Sequence, residues 1–78
     1  MKLIVHWHPA ALSVFYRLPM HSATRMDRAV ILFAETGQGQ IEWVAPYYRL
    51  RAGGFDVAVA IDRGKRTLTV LRVHRGRT

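Results

Sequence analysis

The sequence predicts an α+β fold in which a strand and two helices are followed by three strands of an antiparallel sheet, with both helices on one face. Three observations predict it. Apolar residues recur at helical spacing between residues 10 and 33, they recur at every second position after residue 40, and prolines and glycines separate these segments. At 78 residues the chain has room for one domain, so we expect residues 1–78 to form a single unit.

The first strand and the first helix are predicted on either side of His8-Pro9. Residues 2–7 alternate in character, which is typical of a half-buried strand. Proline suits the first position of a helix, because its missing N–H would be unpaired there. We therefore expect a short helix over residues 10–18, which Pro19 stops.

The second helix is predicted from an apolar stripe. Met26, Val30 and Phe33 follow one another at i, i+4 and i+7, so they share a face, while charged residues occupy much of the remainder. Ser22 is of a type favoured at the N-cap, and Gly37 suits the left-handed residue that often ends a helix. This pattern predicts an amphipathic helix packed on a sheet.

The period of two after residue 40 predicts strands. Residues 41–44 and 47–52 are predicted as one strand that is interrupted at Ala45-Pro46, because proline cannot donate to a strand ladder. Gly53-Gly54 then turns the chain into a strand over residues 55–62.

The last strand is predicted over residues 67–74, after a hairpin turn at Asp62-Arg63-Gly64-Lys65. Both of its faces carry apolar residues, so we expect it in the centre of the sheet. With the helices on one face, the other face is open. Ala58 and Ala60 share the open face by alternation, and they would line a shallow hollow rimmed by long cationic side chains from neighbouring strands.

The charge of the chain predicts a polyanionic partner. The formal net charge is +7, from 12 lysines and arginines against 5 acidic residues, and the excess is concentrated after residue 48. Most of these cations are arginines, whose planar fork suits phosphate. Nucleic acid, the ribosome or an acidic protein segment are the implied partners, and a merely soluble basic surface is the alternative.

Other classes are excluded by composition. Cysteine is absent, which excludes disulfides and thiolate metal sites. The first apolar run is too short for a signal peptide or a membrane span, so we expect a cytoplasmic location and no membrane partner. His6, His8 and His21 could in principle bind a metal, but no carboxylate lies near them in sequence, so no metal site is expected.

Three segments of the chain together resemble the RelE/ParE superfamily, the toxins of bacterial type II toxin–antitoxin pairs. Trp7–Leu12 is similar to the family's proline and alanine-leucine helix start after the opening strand. Tyr48–Phe55 resembles its tyrosine-arginine-leucine-arginine followed by glycine and an aromatic residue, and Val70–Arg75 resembles its final strand. The order and spacing of these segments extend the resemblance over nearly the whole chain.

The resemblance implies one of two activities on the same scaffold. RelE-like members bind the ribosomal A site and cut messenger RNA there, whereas ParE-like members inhibit DNA gyrase by binding, without nuclease chemistry. It also implies a cognate acidic antitoxin, an extended and partly disordered chain that covers the basic face, and no cofactor. We favour a metal-independent endoribonuclease; a gyrase inhibitor and a non-toxic basic binding module are the alternatives.

The candidate site residues follow from the chemistry of RNA cleavage. This reaction needs a base for the 2′-hydroxyl, cations for the pentacoordinate phosphate and an acid for the leaving oxygen. An imidazole, whose ordinary pKa is about 6.5, suits proton transfer at neutral pH, although a histidine at this position could also be bonded simply to backbone or water. We expect the catalytic residues to be His74, Arg75 and Arg51, and the nucleic-acid-binding residues to be Tyr48, Arg49, Arg51, Lys65, Arg72, Arg75 and Arg77.

Two departures from the family pattern favour the alternatives to catalysis. RelE-type nucleases usually carry an arginine after the glycine-aromatic pair, and this chain has Asp56, whose negative charge would repel the substrate. The chain also ends at Thr78, before the C-terminal tyrosine or short helix that several nucleases use. Tyr48 is a second candidate for proton transfer, and Trp43, Tyr47 and Tyr48 are candidates for base stacking.

Overall fold

The computed structural model describes residues 2–75, which form two helices and five strands. In chain order they are β1 (Ile4–Trp7), α1 (Pro9–Arg17), α2 (Met20–Thr36), β2 (Gln40–Val44), β3 (Tyr47–Ala52), β4 (Phe55–Asp62) and β5 (Thr67–Arg75). The strands form one sheet in the order β1-β5-β4-β3-β2. The predicted α+β class is confirmed, and β5 is paired on both sides as expected. Neither helix has the length and apolar character needed to cross a membrane.

The segment predicted as one interrupted strand is a hairpin instead. The chain reverses at Ala45-Pro46, and β2 runs antiparallel to β3, with Glu42 opposite Arg49 and Trp43 opposite Tyr48. Proline has no N–H to contribute to a ladder, so strand pairing stops there and the chain folds back. The sheet therefore has one more strand than predicted, and β2 forms one of its edges.

β1 makes the sheet mixed, whereas the sequence predicted a wholly antiparallel one. Ile4 pairs with Thr67 and Trp7 pairs with Val70, and the two strands run in the same direction. Parallel neighbours require a long connection, which α1, α2 and the three hairpins that follow them provide. Because the hairpins reverse the chain at each turn, they set the direction in which β5 meets β1.

The ends of both helices agree with simple capping rules. The Ala10 N–H donates to Nδ1 of His8 over 3.1 Å, so His8 caps α1. α2 begins at Met20, before the predicted cap Ser22, because the proline that precedes it has a φ compatible with helix entry. At the other end Gly37 has a φ of 79°, the left-handed conformation predicted for it.

One face of the sheet packs against both helices. The predicted face of α2 is confirmed, since Met26 and Val30 are fully buried and Phe33 is nearly so. Burial of side chains of this size contributes about 1.5–3 kcal/mol each. The sheet contributes Leu50, Ala52, Val57, Val59, Leu68, Val70 and Val73 to the same core.

The turn between β3 and β4 is fixed against α2. Gly53 has a φ of 58°, and a Cβ at this position would lie 2.9 Å from the backbone nitrogen of Met26. Only glycine combines this conformation with such a close approach. The turn consequently holds the adjoining ends of β3 and β4 in register, with Arg51 opposite Asp56.

A β-bulge in β5 decides which of its side chains reach the open face. Ala58 pairs with Arg72 and Val59 pairs with Val70, so Leu71 is an extra residue without a partner on β4. A bulge of this kind shifts the alternation of the strand by one position. Val70 and Val73 are both buried against the helices as a result, and Arg72 is moved to the opposite face.

Candidate nucleic-acid interface

The open face of the sheet carries two neighbouring rows of side chains, most of which are charged. In the first row, strand pairing places Asp56 between Arg51 and His74; in the second, it places Ala58 between Arg49 and Arg72. Neighbouring strands are about 4.8 Å apart. The backbone positions of Arg49 and Arg72 are therefore about 10 Å apart, so their long side chains can converge over the methyl group between them.

Ala58 lies at the floor of a hollow at the centre of this face. The side chain is only 4 % exposed, because the longer side chains around it overhang it. The hollow has a volume of about 290 Å³, near the lower end of the range for small-ligand sites. It is lined by Val44, Tyr47, Arg49, Asp56, Ala58, His74 and Arg75.

The hollow continues into a second one toward the edge of the sheet. Gln40, Glu42 and Arg51 are among the residues that line this second hollow, which also contains Arg49 and Asp56. The shared residues make the two hollows one shallow groove that runs from the β2 edge to the end of β5. An extended polymer fits this shape better than a compact ligand does.

Two of the arginines are already paired with carboxylates. Arg49 donates from Nη2 to Oε1 of Glu42, and this hydrogen bond raises the pKa of Arg49 above its ordinary value. Nη1 of Arg51 lies 3.8 Å from Oδ1 of Asp56. Both arginine side chains remain about half exposed, and ion pairs exposed to this extent are weak. A phosphate can therefore replace the carboxylate at either arginine.

The remaining positive charge over the hollow comes from β5. Neither Arg72 nor Arg75 forms an ion pair with any carboxylate in residues 2–75. By strand pairing Arg75 lies opposite Phe55, which belongs to the helix side, but its side chain lines the hollow from the end of the strand. Arg75 and the two paired arginines thus line the groove, and Arg72 lies next to Ala58 at its floor by strand pairing.

The structure brings five of the predicted site residues together. Arg49, Arg51, His74 and Arg75 line the groove described above, and Arg72 lies next to Ala58 on the same face by strand pairing. They come from β3 and from β5, on opposite sides of β4. The predicted sharing of one face by Arg49 and Arg51 agrees with the observed register.

Tyr48 lies on the other face of the sheet, which corrects its predicted position beside the arginines. Its ring centroid is 4.9 Å from that of Trp43, and the ring packs against the core. The neighbouring Tyr47 lines the hollow instead. The sequence contained the signal for this, since residues two apart in a strand share a face. Tyr47 is two residues from Arg49, whereas Tyr48 is adjacent to it.

Lys65 and Arg77 are the two remaining predictions. Lys65 lies in the turn between β4 and β5, at the opposite end of β4 from Asp56. Six residues of strand separate that end from Asp56, which corresponds to about 20 Å, so Lys65 lies outside the groove. Arg77 falls outside the described residues.

Comparison of the sequence with models of known protein families gives no match, and no curated protein sequence is significantly similar to it. Solved structures do resemble it. A chain of the archaeal RelE–RelB complex from Pyrococcus horikoshii superposes with a TM-score of 0.77 at 17 % identity, and the match covers 100 % of both chains. For the intact Escherichia coli RelBE toxin–antitoxin complex the TM-score is 0.75 at 13 % identity, over 99 % of this chain and 100 % of the other.

A third similar structure is the toxin–antitoxin complex RelBE2 from Mycobacterium tuberculosis. Its TM-score is 0.70 at 20 % identity, over 96 % of this chain and 99 % of the matched chain. The two helices and the five-stranded mixed sheet thus define a protein with the RelE-like fold over its full length. The fold predicted from the three sequence segments is confirmed.

Proposed function

We propose that this protein is the toxin of a toxin–antitoxin pair and that it cleaves messenger RNA at the ribosome. The observation that carries the proposal is that Arg49, His74 and Arg75 line the hollow above Ala58, while strand pairing places Arg72 next to Ala58 on the same face. The full-length match to RelE-like structures supports the role of a toxin. The groove supports RNA as the ligand, because it is lined by several arginines, whose forks suit successive phosphates.

In the proposed reaction His74 takes the proton of the RNA 2′-hydroxyl. The 2′-oxygen attacks the adjacent phosphorus, the bond from phosphorus to the 5′-oxygen breaks, and a 2′,3′-cyclic phosphate remains. The imidazolium then returns its proton to the leaving 5′-oxygen. Arg49 and Arg72 stabilise the negative charge of the pentacoordinate phosphate from its two sides, and Arg75 binds a phosphate oxygen beside His74.

Asp56 has a defined place in this proposal. It lies directly across from His74, and its charge is partly compensated by Arg51 at 3.8 Å. A carboxylate in this position can accept an N–H from the imidazole, which leaves the other ring nitrogen free to take a proton. Asp56 is therefore proposed to orient His74, at some cost in affinity for the RNA.

We propose that the partner of the toxin is an acidic, extended antitoxin chain. Two of the similar structures are toxin–antitoxin complexes. Arg72 and Arg75 form no ion pair within residues 2–75, and the ion pairs of Arg49 and Arg51 are weak, so all four offer positions for carboxylates. An acidic chain that lies along the groove would neutralise them and block the approach of RNA.

A cell-free translation assay tests the proposed activity. We expect the wild-type protein to cut ribosome-bound message, as mapped by primer extension, and the His74→Ala variant to cut it at least 100-fold more slowly, since proton transfer contributes about 10²–10⁴. His21→Ala, which removes an exposed histidine from α2, serves as the control and should cut normally. Undiminished cutting by a folded His74→Ala variant would exclude the proposed mechanism.

One observation favours a second candidate function. Asp56 lies on the open face near one end of the central strand β4, where it opposes the binding of a phosphate chain and favours contact with a protein. A toxin that binds DNA gyrase without nuclease activity would fit this carboxylate. Inhibition of gyrase-catalysed supercoiling of plasmid DNA, with no cleavage of message, would identify this second activity.

A further inference from the structure

A second group of cations lies at the end of the sheet opposite Asp56. Arg63, Lys65 and Arg66 belong to the turn between β4 and β5, and Lys2 precedes β1. All four are exposed. We call these four residues the far-end cluster.

The parallel pairing of β1 with β5 brings Lys2 to this turn. The Ile4 N–H donates to the carbonyl of Arg66 over 2.8 Å, which ties the start of β1 to the turn. Lys2, Leu3, Arg63 and Arg66 line one hollow of about 410 Å³ as a result. Residues about sixty positions apart in the chain therefore contribute cations to one place.

The charges of the far-end cluster have little internal compensation. None of its four cations forms an ion pair with a carboxylate within residues 2–75. Asp62 is the nearest acidic residue in sequence, and its Oδ1 accepts the backbone N–H of Lys65 over 3.0 Å. Uncompensated like charges that are held together repel one another, so the fold gains nothing from this arrangement without an anion.

The backbone of Arg66 gives a second, independent indication. Its φ is 54°, and no other non-glycine residue among residues 2–75 has a positive φ. Glycine or asparagine adopts this left-handed conformation more readily than arginine does. A residue that is unfavourable for the turn but carries a long cation indicates that the side chain has a role outside the fold.

We propose that the far-end cluster binds backbone phosphates of RNA and forms a second anchoring point, about 20 Å from Asp56 along the sheet. The proposal deepens the proposed function and rests on it for the identity of the polyanion. An acidic protein segment is less suitable, because protein interfaces add apolar anchors to their charges. The apolar residue that lines this hollow, Leu3, is buried.

The salt dependence of RNA binding tests this surface. The probe is a fluorescent 20-nucleotide oligouridylate, followed by anisotropy over a sodium chloride series. We expect the double variant Arg63→Ala/Arg66→Ala to bind about 10-fold more weakly, with the slope of log K against log salt reduced by about 1.4, since each phosphate contact to a single strand contributes about 0.7. Arg25→Ala/Arg28→Ala removes the same charge from exposed positions of α2 and should retain the wild-type slope.

The single variant Arg66→Gly separates binding from folding. Glycine relieves the left-handed backbone, so the Tm should be unchanged or higher while the affinity for the oligouridylate falls about threefold or more. An affinity equal to that of the wild type would overturn the proposal. A second outcome would also overturn it. If the double variant lost affinity for a poly-aspartate peptide but not for RNA, the surface would be assigned to an acidic protein.

Failure of this inference is distinguishable from failure of the proposed function. If the wild-type protein does not cut message but the double variant still shows the weaker binding and the reduced slope, the cleavage proposal fails and the anchoring surface stands. If the wild type cuts message and the double variant binds like the Arg25→Ala/Arg28→Ala control, cleavage stands and the anchoring surface is excluded.

Discussion

Arg49 and Arg72 flank Ala58 in one row across the open face, although they belong to strands that are not neighbours. Two features produce this relationship. The register of β3 and β4 places Arg49 beside Ala58, and the unpartnered Leu71 turns Arg72 toward the same side. A small residue between two long cations leaves space for an anion that both can reach.

The first prediction concerns the space above Ala58. We expect Ala58→Leu to weaken binding of the oligouridylate by about 10- to 100-fold, because displacing or overpacking a side chain of this size costs about 1–3 kcal/mol. Anisotropy at fixed salt measures the effect. Ala60→Leu places the same side chain one row away on the same face, opposite Thr69, and should bind as the wild type does. Equal losses in both variants would show that the hollow is not the binding site.

The charge of Asp56 gives the second prediction. We expect Asp56→Asn to bind the oligouridylate about three- to tenfold more tightly, because removal of one negative charge a few ångströms from a phosphate is worth about 1 kcal/mol in a hydrated site. The rate of message cutting should nevertheless fall, since His74 loses its proposed orienting partner. Glu35→Gln, an exposed change on α2, is the charge-matched control. Weaker binding by Asp56→Asn would contradict the assignment of Asp56 as an electrostatic obstacle.

The third prediction concerns the guanidinium group of Arg72. Loss of a charge-assisted hydrogen bond costs about 1.5–3 kcal/mol, so Arg72→Ala should bind RNA about 10- to 100-fold more weakly. Arg72→Lys keeps the charge but cannot bind a phosphate through two parallel N–H groups, and it should recover only part of the affinity. Arg28→Ala provides the comparison at an exposed position on α2. Full recovery by lysine would indicate a role for charge alone.

The contact of Gly53 with α2 gives a prediction about stability. Gly53→Ala should lower the free energy of unfolding by about 2–4 kcal/mol, because the new methyl group meets the helix backbone in an unfavourable conformation. Gly54 also has a positive φ, of 88°, but a Cβ there would meet nothing within 4 Å. Gly54→Ala should therefore cost only about 1 kcal/mol. Urea denaturation compares the two variants, and equal losses would argue against the contact with α2.

Local patterns were sufficient to predict the helices and part of the site. The apolar stripe of Met26, Val30 and Phe33 identified the buried face of α2 correctly, because helical spacing depends only on neighbouring residues. The sharing of a face by Arg49 and Arg51 followed from alternation for the same reason. The same rule would have selected Tyr47 for the hollow in place of Tyr48.

Features that depend on which strands pair, and in which register, were beyond these patterns. The hairpin at Ala45-Pro46 results from the pairing of β2 with β3. The bulge at Leu71 results from the register of β4 and β5, and the bulge alone decides the face of Arg72. The far-end cluster depends likewise on the pairing of Ile4 with Thr67. Sequence distance gives no sign of such proximity.

The pairing of β1 with β5 also affects the order in which the protein folds. It joins residues that are far apart in the chain, and contacts of this kind form late because a long loop must close first. The hairpins from β2 to β4 can form earlier, but an intermediate built from them lacks Arg72, His74 and Arg75. We therefore expect the proposed cleavage activity to arise only after the last strand has joined the sheet.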